Sequence, residues 1–257
     1  MEAGERQRQI LTLARHQGRV EVARLADDLA VAPETVRRDL RQLVERGMLH
    51  RVHGGAHPVE GVGYESDVNQ RLTSLVAEKR RIAAAAAARL DGAESVYIDE
   101  GITPKLVAEA IAAALPRDAE LTVVTSSLLA AGVLGDHPRI TVLLLGGRMR
   151  GRTMATVDHW ATAMLQELVI DLAYLGANGI SREHGLTTPD PAVSAVKAQV
   201  VASTRRRIFV GVHTKFGVSS FSRFADLPDF EALITDTGVS SADAHRYSVM
   251  GPHVIRA

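Results

Sequence analysis

The sequence contains no cysteine, and this absence excludes several kinds of site at once. Disulfide bonds, thiolate nucleophiles and cysteine-ligated zinc or iron–sulfur centres cannot form without a thiol. The ten histidines show no HExxH spacing, which is the arrangement that places two imidazoles on one face of a helix for a metal ion. The sequence therefore predicts neither a metal site nor another cofactor.

Long apolar runs are also missing. No stretch of about 18 apolar residues occurs, and the first residues are charged where a secretory signal would be apolar. With 46% apolar residues and a mean hydropathy of +0.02, the composition is that of a globular protein with ample material for a core. We expect a cytoplasmic protein that does not contact a membrane, with one small domain and one larger domain.

Residues 31–47, VAPETVRRDLRQLVERG, have the pattern of one amphipathic helix. Pro33 suits a first helical turn because its missing N–H would have no intrahelical partner there, and Gly47 is typical of the position just past a helix end. The helix is therefore predicted from Pro33 to Arg46. Its apolar face holds Val36, Leu40, Leu43 and Val44, and its outer face holds Glu34, Thr35, Arg38, Arg41 and Gln42, with Arg37 on the flank.

Neighbouring segments give this helix a context. A shorter helix is predicted for Glu21–Leu29, and only three residues separate it from the next, which is the spacing of a helix-turn-helix. Glu5–His16 supplies a third helix, and residues 48–56 read as a short strand that enters a glycine turn, as in a wing. An ordinary solvated helix remains the alternative for Pro33–Arg46. The histidines near the wing are interpreted as turn or DNA-backbone residues rather than as metal ligands.

The segments ERQRQIL, LADDLAVAPETVRRDLRQLVERGML and RVHGGA closely resemble the N-terminal signature of the DeoR family of bacterial transcriptional regulators. The resemblance implies a winged helix-turn-helix DNA-binding domain over residues 1–57. It also implies DNA-facing roles on the second helix and the wing for Thr35, Arg37, Arg38, Arg41, Arg51 and His53. One departure is Ala32 where the family usually has serine, and the lost N-cap costs about 1 kcal/mol of helix stability.

The charge of the chain is balanced as a whole and slightly uneven in its distribution. Residues 1–57 carry ten arginines against eight acidic residues, a net charge of +2 that leaves −2 for the rest of the neutral chain. So weak a bias means that DNA affinity must come from the local placement of arginines and from pairing two or more modules. We therefore expect a homo-oligomer, a dimer or a tetramer, that binds a double-stranded operator.

After the wing, residues 58–78 read as a linker, Pro58–Gly63, and a connecting helix, and an alanine-rich helix is predicted for Glu78–Leu90. From residue 79 to 257 short apolar runs then alternate with helices near 104–115, 127–135, 157–168 and 191–204. The predicted strands are Ser95–Ile98, Leu121–Thr125, Ile140–Leu145, Leu172–Leu175, Ile208–Val212, Ala232–Thr235 and Val249–Ile255. This alternation predicts an open, mostly parallel α/β sheet, in which ligands bind at the carboxyl ends of the strands.

Four strand ends contain glycine or small hydroxyl residues: 99–103, 125–127, 146–148 and 176–179. Backbone N–H groups and hydroxyls of this kind hold phosphate groups at helix N-termini. Each stretch alone is an ordinary turn or N-cap, but four at corresponding ends favour a shared pocket. The resemblance to the DeoR family extends over these segments, and it implies a C-terminal domain similar to the ribose-5-phosphate isomerase fold that binds a phosphorylated sugar or related metabolite.

By this resemblance, the effector-binding residues are Asp99, Gly101, Thr103, Thr125, Ser126, Ser127, Gly146, Gly147 and Lys215. The chain departs from the family pattern at Ile102 for a hydroxyl residue, Ser126 for asparagine, Asp158 for glycine and His213 for aspartate. Because Ile102 removes a hydrogen-bonding group and Asp158 would repel a phosphate if it faced the site, either the effector differs or the pocket has lost sensing. Other cations available to an anionic ligand are Arg148, Arg150, Arg152 and Lys197.

The sequence thus predicts a DNA-binding regulator, by family habit a repressor of carbohydrate-metabolism genes that an anionic metabolite releases. A regulator without a sugar-phosphate effector is the first alternative, because the predicted pocket is altered. An isomerase-like enzyme is the second, because Asp99 and Glu100 stand together at a strand end. Adjacent residues at a strand end usually point apart, and a simple isomerase has no use for a DNA-binding module. We therefore predict no catalytic residue.

Overall fold

Met1–Glu60 and Gly61–Ala257 fold as two separate units. The structure is a computed structural model that describes residues 2–46, 48–52, 54–58 and 68–257. The predicted linker Pro58–Gly63 lies outside the described residues except for Pro58, which is the last residue of a strand. None of the helices in these ranges is both long enough and apolar enough to span a membrane.

The first unit is the predicted winged helix-turn-helix. Its elements are α1 Ala3–Gln17, β1 Val20–Glu21, α2 Val22–Asp28, α3 Pro33–Glu45, β2 Leu49–Val52 and β3 Gly55–Pro58. The three strands form an antiparallel sheet in the order β1-β3-β2. Ile10, Leu25 and Leu40, one from each helix, are fully buried together in its core. Gly55 is required where β3 passes β1, because a Cβ there would lie 2.0 Å from the Val20 carbonyl oxygen.

The second unit alternates helices and strands as the sequence predicted. Its helices are α4 Val68–Thr73, α5 Val76–Ala87, α6 Ile102–Ala114, α7 Leu128–Leu134, α8 His159–Gln166, α9 Pro191–Ser203 and α10 Ser241–Ser248. Its strands are β4 Ser95–Ile98, β5 Leu121–Thr125, β6 Ile140–Leu144, β7 Arg148–Arg150, β8 Ala155–Val157, β9 Ile170–Leu175, β10 Gly179–Ser181, β11 Gly185–Thr188, β12 Thr204–Val210, β13 Ser222–Ala225, β14 Ala232–Thr235 and β15 His253–Arg256.

A seven-stranded parallel sheet, in the order β15-β14-β12-β9-β4-β5-β6, is the centre of this unit. Successive side chains of a strand point to opposite faces, so each strand contributes to two cores. Val96 and Ile98 of β4 pack with α5, α6 and α7 on one face, while Tyr97 packs with α8 and α9 on the other. The sheet is therefore covered on both faces, which explains why its strands are apolar throughout.

Three features of the second unit differ from the prediction. α10 was not predicted, because only Ala244 and Tyr247 of its eight residues are buried and its pattern is short. The last strand begins at His253; Val249 instead ends α10, so the first half of the predicted strand Val249–Ile255 is wrong. The small antiparallel sheets β7-β8 and β10-β11-β13 were also missed, because strands of three or four residues carry too little pattern.

Candidate DNA interface and candidate ligand site

The outer face of α3 carries three exposed arginines, Arg37, Arg38 and Arg41, with Thr35 half-buried at the start of the helix. Ala32 occupies the N-cap position and makes no side-chain cap, as its identity predicted, while Pro33 fills the first turn. The Arg37 Nη1 atom donates to Glu34 Oε2 at 2.9 Å, and both side chains remain largely exposed. Solvent therefore competes for this contact, and the guanidinium groups are available to a ligand.

The wing adds a fourth guanidinium to this face. Arg51 of β2 lines one concave surface together with Arg37, Arg41 and Val44. A guanidinium donates in a planar fork that matches phosphate oxygens, so three of them around one concavity suit a nucleic-acid backbone. His53, the other wing residue predicted to contact DNA, lies outside the described residues.

A buried ion pair holds the helix that carries these arginines. Asp39 of α3 is fully buried, and both of its carboxylate oxygens accept hydrogen bonds from α1. Arg6 donates from Nε at 2.5 Å and from Nη2 at 3.2 Å, and Gln7 donates from Nε2 at 3.2 Å. The hydrogen bond to Asp39 raises the pKa of Arg6. The sequence did not reveal this pair, because its partners are 33 residues apart and both residue types are ordinarily exposed.

In the second unit the predicted site residues follow the carboxyl ends of parallel strands, which all lie at one edge of the sheet. Asp99 follows β4, Thr125 ends β5, Gly146 follows β6, and Gly176 follows β9. Lys215 belongs to a 3-10 turn, His213–Lys215, after β12, two strands away from β4 in the sheet. The sheet therefore places the predicted residues along one edge, with Lys215 after β12 and Gly146 after β6, each two strands from β4 on opposite sides.

The centre of this edge holds a buried cluster of Asp99, Glu100 and Lys197. Asp99 Oδ2 accepts from the backbone N–H of Gly176 at 2.8 Å and from the Lys197 ammonium. Lys197 Nζ also donates to the Gly176 carbonyl at 3.2 Å, lies 3.5 Å from Glu100 Oε1, and is 5.6 Å from the centre of the Phe224 ring. The sequence named Lys197 only as one of several spare cations, and α9 is what brings it to Asp99.

Two oxygens of this cluster are unpartnered. Asp99 Oδ1 and Glu100 Oε2 are buried and accept no hydrogen bond within the described residues. Burial raises the pKa of Asp99, Lys197 opposes this rise, and Glu100 adds to it. Burial alone would lower the pKa of Lys197, but the two carboxylates outweigh burial and raise it. The cluster therefore presents acceptors to any group that reaches it, because the ammonium is already occupied by protein oxygens.

The three hydroxyl side chains at the carboxyl end of β5 make hydrogen bonds inside the protein. Thr125 Oγ1 donates to the Ile98 carbonyl at 2.6 Å and accepts from the Ser127 N–H at 2.9 Å. Ser126 Oγ is 3.0 Å from the Tyr97 hydroxyl, and Ser127 Oγ caps α7 by accepting from Ala130 N at 3.2 Å. These contacts fix the turn beside the cluster.

The turn after β4 leads directly into α6. Gly101 is the N-cap residue, with φ at +106°, a value that favours glycine. It provides no side-chain cap, and Thr103 is largely buried in the first turn. The positive end of a 13-residue helix therefore begins beside the Asp99–Glu100–Lys197 cluster.

Comparison with known families agrees with both units. The DeoR-like helix-turn-helix domain matches residues 6–61, and the DeoR C terminal sensor domain matches residues 74–237. The chain belongs to the DeoR family. Together with the arginine-bearing helix, this membership makes it a DNA-binding transcriptional regulator with a sensor domain.

Several relatives are DeoR-type regulators along nearly their whole length. An HTH-type transcriptional regulator, GlpR, of Haloferax volcanii is 35% identical over 93% of this chain and 92% of its own. The glycerol-3-phosphate regulon repressor of Escherichia coli is 28% identical over 92% of each chain. Among solved structures, a ribose 5-phosphate isomerase from Methanocaldococcus jannaschii aligns over 54% of this chain and 53% of its own, at 13% identity and a TM-score of 0.39. The named relatives are transcriptional regulators and not enzymes.

Asp158 departs from the DeoR pattern without placing a free charge in the site. Its backbone has φ at +91°, which an L-residue rarely adopts and which explains the glycine of the family pattern. Its carboxylate accepts from Arg148 N and Trp160 N, each at 3.1 Å, and so caps α8. Gly147 lies against this turn, where a Cβ would be 2.5 Å from the Val157 carbonyl oxygen. Because backbone N–H groups already donate to the Asp158 carboxylate, its repulsion of a phosphate should be weaker than the sequence suggested.

The departure assigned to His213 needs a correction. In the DeoR motif Asp-x-x-Lys-Phe-Gly the aspartate precedes the lysine by three residues, and that position here is Val212, which is buried in the core. His213 instead pairs with Asp236: its Nδ1 is 2.7 Å from Asp236 Oδ1, and its backbone N–H donates to Oδ2 at 2.8 Å.

Among the cations that the sequence offered to an anionic ligand, Arg150 pairs with Asp190 at 2.8 Å. No group of three potential ligands for a metal ion occurs among the described residues.

Proposed function

We propose that this regulator is a repressor that a phosphorylated sugar or related small anionic metabolite releases from its operator. Repression and a phosphorylated metabolite are both printed in the name of the Escherichia coli relative. Control of carbohydrate-metabolism genes is part of the proposal, and so is a cytoplasmic location, because binding an operator requires access to the chromosome.

The open N-terminus of α6 is the observation that carries the proposal. In four other helices of this unit a side chain of the N-cap residue accepts a backbone N–H: Ser127 for α7, Asp158 for α8, Asp190 for α9 and Ser240 for α10. α6 begins at Gly101 and has no such cap, and α5, with Leu75 at its N-cap, lacks one too. Of these two helices, α6 is the one that directly follows a strand of the parallel sheet, β4. The N–H groups of Ile102 and Thr103 and the helix dipole together attract an anion, whereas Pro104, the next residue, has no N–H.

The cluster next to α6 suits the rest of such a ligand. Asp99 and Glu100 immediately precede Gly101, and their free oxygens can only accept hydrogen bonds. A sugar or polyol hydroxyl is a donor and can supply the hydrogen bonds that these two oxygens lack. The phosphate at α6 and the hydroxyls at the cluster would therefore occupy neighbouring positions.

Release of DNA follows from unequal binding to two states. Two winged modules, paired by the oligomer, would place their α3 helices in successive major grooves, with the arginines dividing phosphate contacts and base contacts. A ligand at the strand ends lowers DNA affinity only to the extent that it prefers the geometry that does not bind DNA.

Thr103→Asp tests the ligand site. An aspartate in the first turn of a helix interacts favourably with the helix dipole but repels a phosphate at the N-terminus, so the variant should lose the ligand. Because Thr103 is largely buried, circular dichroism would first establish that the variant folds. We would screen sugar and polyol phosphates and their unphosphorylated parents by thermal shift. At about 100 times its dissociation constant a true ligand stabilises the wild type by roughly 2.7 kcal/mol. The same ligands would be tested for release of a DNA duplex that the wild-type protein selects from a random pool.

Two controls make the result specific. Ala242→Asp adds the same charge at the second residue of α10, which is exposed where Thr103 is largely buried, and should retain the full response. Arg38→Ala should keep the thermal shift and weaken DNA binding by roughly 1–3 kcal/mol. A phosphate that still stabilises Thr103→Asp would remove α6 from the site.

A regulator without a sugar-phosphate effector is the second candidate. Ile102 favours it, because an apolar side chain stands in the first turn of α6 where the family has a hydroxyl. In that case no phosphate would shift the wild-type melting temperature, although the protein would still bind the selected duplex.

A further inference from the structure

The two edge strands of the parallel sheet are unlike each other. β15 pairs only with β14 among the described residues and carries a histidine and an arginine, His253 and Arg256, in four residues. Arg256 is further anchored to Ser241 Oγ at 2.6 Å. A charged side chain such as that of Arg256 hinders an exposed edge from pairing with another strand. The β15 edge is therefore protected.

β6, at the other end, has no such protection. It pairs only with β5 within the described residues, and its sequence ITVLL has no charge, proline or glycine. Leu143 and Leu144 point to opposite faces of the sheet, yet both are more than 40% exposed. An uncharged, apolar edge strand is rare on the surface of a monomer, because its free N–H and C=O groups recruit other strands.

Apolar exposure continues from β6 onto its neighbours. We define the β6 patch as Leu143, Leu144, Met149, Trp160 and Met164, all exposed. Met164 Sδ lies 3.2 Å from the backbone nitrogen of Gly146, so α8 adjoins the end of β6. Trp160 is 63% exposed and lies one helical turn before Met164 on the same face. Tryptophan and methionine are enriched at protein interfaces, and tryptophan is frequent among the residues that dominate binding energy.

We propose that the β6 patch binds the same patch of a second copy of this chain across a two-fold axis. An antiparallel strand edge is complementary to itself, because a two-fold axis pairs each N–H with a C=O of the other copy. Such an axis also brings identical charges together, so a self-associating surface must be uncharged at its centre. The β6 patch meets this condition, and the β15 edge, which carries Arg256, does not.

The identity of the occupant also follows from the DNA-binding unit. One winged module has a net charge of only +2 over residues 1–57, and recognition of paired half-sites requires two modules. Pairing through β6 would join two seven-stranded sheets at their unprotected edges. The exposed apolar side chains would be removed from water in the same step.

Trp160 allows a test in the unmodified protein, because it is the only tryptophan in the chain. Sedimentation velocity would give the oligomeric state across a dilution series, and tryptophan emission would be recorded on the same samples. We expect a dimer or larger assembly at micromolar concentration. On dissociation the emission should shift to longer wavelength, and acrylamide should quench it more strongly.

Leu144→Arg should break the assembly, since it places a guanidinium without a partner in an apolar interface. We expect its dissociation constant to rise at least about 100-fold, because burying an unpaired charge costs several kcal/mol. Val249→Arg is the matched control. Val249 follows α10 and precedes β15, at the opposite edge of the sheet from β6, and it is 73% exposed. Its replacement should leave association unchanged. Circular dichroism would confirm that both variants fold.

Three outcomes would overturn the proposal. The wild type could be monomeric at micromolar concentration, Leu144→Arg could associate as tightly as the wild type, or Trp160 emission could be the same in monomer and assembly. Should Leu144→Arg fail to fold, the emission of wild-type Trp160 during dilution still decides. If the patch instead covers the chain's own DNA-binding unit, Leu144→Arg will leave the oligomer intact and the proposal fails.

Discussion

Each unit of this regulator buries one ionic cluster, and the two clusters are completed to different degrees. In the DNA-binding unit, Arg6 and Gln7 donate to both oxygens of Asp39. In the sensor unit, Lys197 reaches one oxygen of Asp99 and one of Glu100, and the other two oxygens have no partner among the described residues. Both clusters are almost completely shielded from water.

The difference separates a structural contact from a candidate binding contact. A buried carboxylate whose oxygens are all occupied has nothing left to offer a ligand, so Asp39 serves to hold α1 against α3. A buried carboxylate oxygen without a donor costs free energy, and such a cost is expected where a ligand completes the site. The cluster in the DNA-binding unit thus fixes the arginine-bearing helix, whereas the cluster in the sensor unit leaves two carboxylate oxygens that can accept hydrogen bonds from a ligand.

Asp39→Ala should have the largest effect, because it leaves the Arg6 guanidinium buried without its partner. We expect the unfolding free energy of the first unit to fall by about 3–5 kcal/mol. Operator affinity should fall with it, although Asp39 cannot touch DNA. Urea unfolding would be followed by circular dichroism, which reports both units, and by Trp160 fluorescence, which reports only the second. Only the first signal should change.

The double variant Arg6→Met/Asp39→Leu provides the control. Replacing a buried ion pair by apolar side chains of similar size is often neutral or stabilising. We expect most of the lost stability and DNA affinity to return. If Asp39→Ala were as stable as the wild type, the ion pair would not be what fixes α3.

These two clusters also mark the limit of prediction from the sequence. The winged unit and the parallel sheet were predictable, because Pro33 and the apolar stripe of α3 are local signals and the strand–helix alternation repeats. The role of Asp39 was not predictable. Asp39 is a polar residue on the apolar face of α3, and the sequence does not show that Arg6 of α1 lies beside it. Likewise, Lys197 is 98 residues from Asp99, and only the folded sheet shows that Lys197 is the partner of Asp99 and Glu100.

The strand ends show the same division. Gly101, Thr125 and Ser127 were identified by motif, and their backbone roles follow from the turns that they form. Which hydroxyls are already bonded, as Ser126 is to Tyr97, depends on contacts across neighbouring strands. Asp158 illustrates the point most clearly, because its sequence suggested a repulsive charge and the structure shows an N-cap.

Glu100→Gln tests the same comparison in the cluster of the sensor unit, where we expect a smaller effect on stability. The change removes a negative charge beside Asp99 and keeps an oxygen for Lys197, so we expect the unfolding free energy to stay equal or rise by up to about 1 kcal/mol. Trp160 fluorescence during urea unfolding would measure it. Asp39→Asn is the matched variant in the first unit, measured by circular dichroism, and it should lower stability because Asp39 has no excess charge to lose. A loss in Glu100→Gln as large as in Asp39→Asn would make the two clusters equivalent.

His213 and Asp236 form a third pair that lies between these extremes, since Asp236 is buried and about a third of the His213 side chain is exposed. The hydrogen bond to Asp236 raises the pKa of His213 despite partial burial, and the negative charge of Glu78 adds to the rise. Burial would raise the pKa of Asp236, but the hydrogen bonds from His213 and from the Gly238 N–H lower it to about 2. Both shifts favour the charged pair.

The pH window follows from these directions. Stability from the raised pKa of His213 is fully present below about pH 6.5 and is lost as the pH rises through the raised value. Stability from the lowered pKa of Asp236 is present above about pH 3.9 and is lost as the pH falls toward 2. The pair therefore contributes most between about pH 4 and 6.5.

His213→Gln should remove the upper limb of this dependence. Solvent screens a pair that is one-third exposed, so we expect the wild type to lose less than about 1 kcal/mol more than the variant between pH 6 and 8.5. Thermal melting at each pH would measure the difference. His245→Gln, at an exposed position of α10, is the control and should melt like the wild type. If His213→Gln and the wild type had identical pH profiles, the backbone donors alone would stabilise the Asp236 carboxylate. The partly exposed ion pair between His213 and Asp236 would then make no contribution to stability.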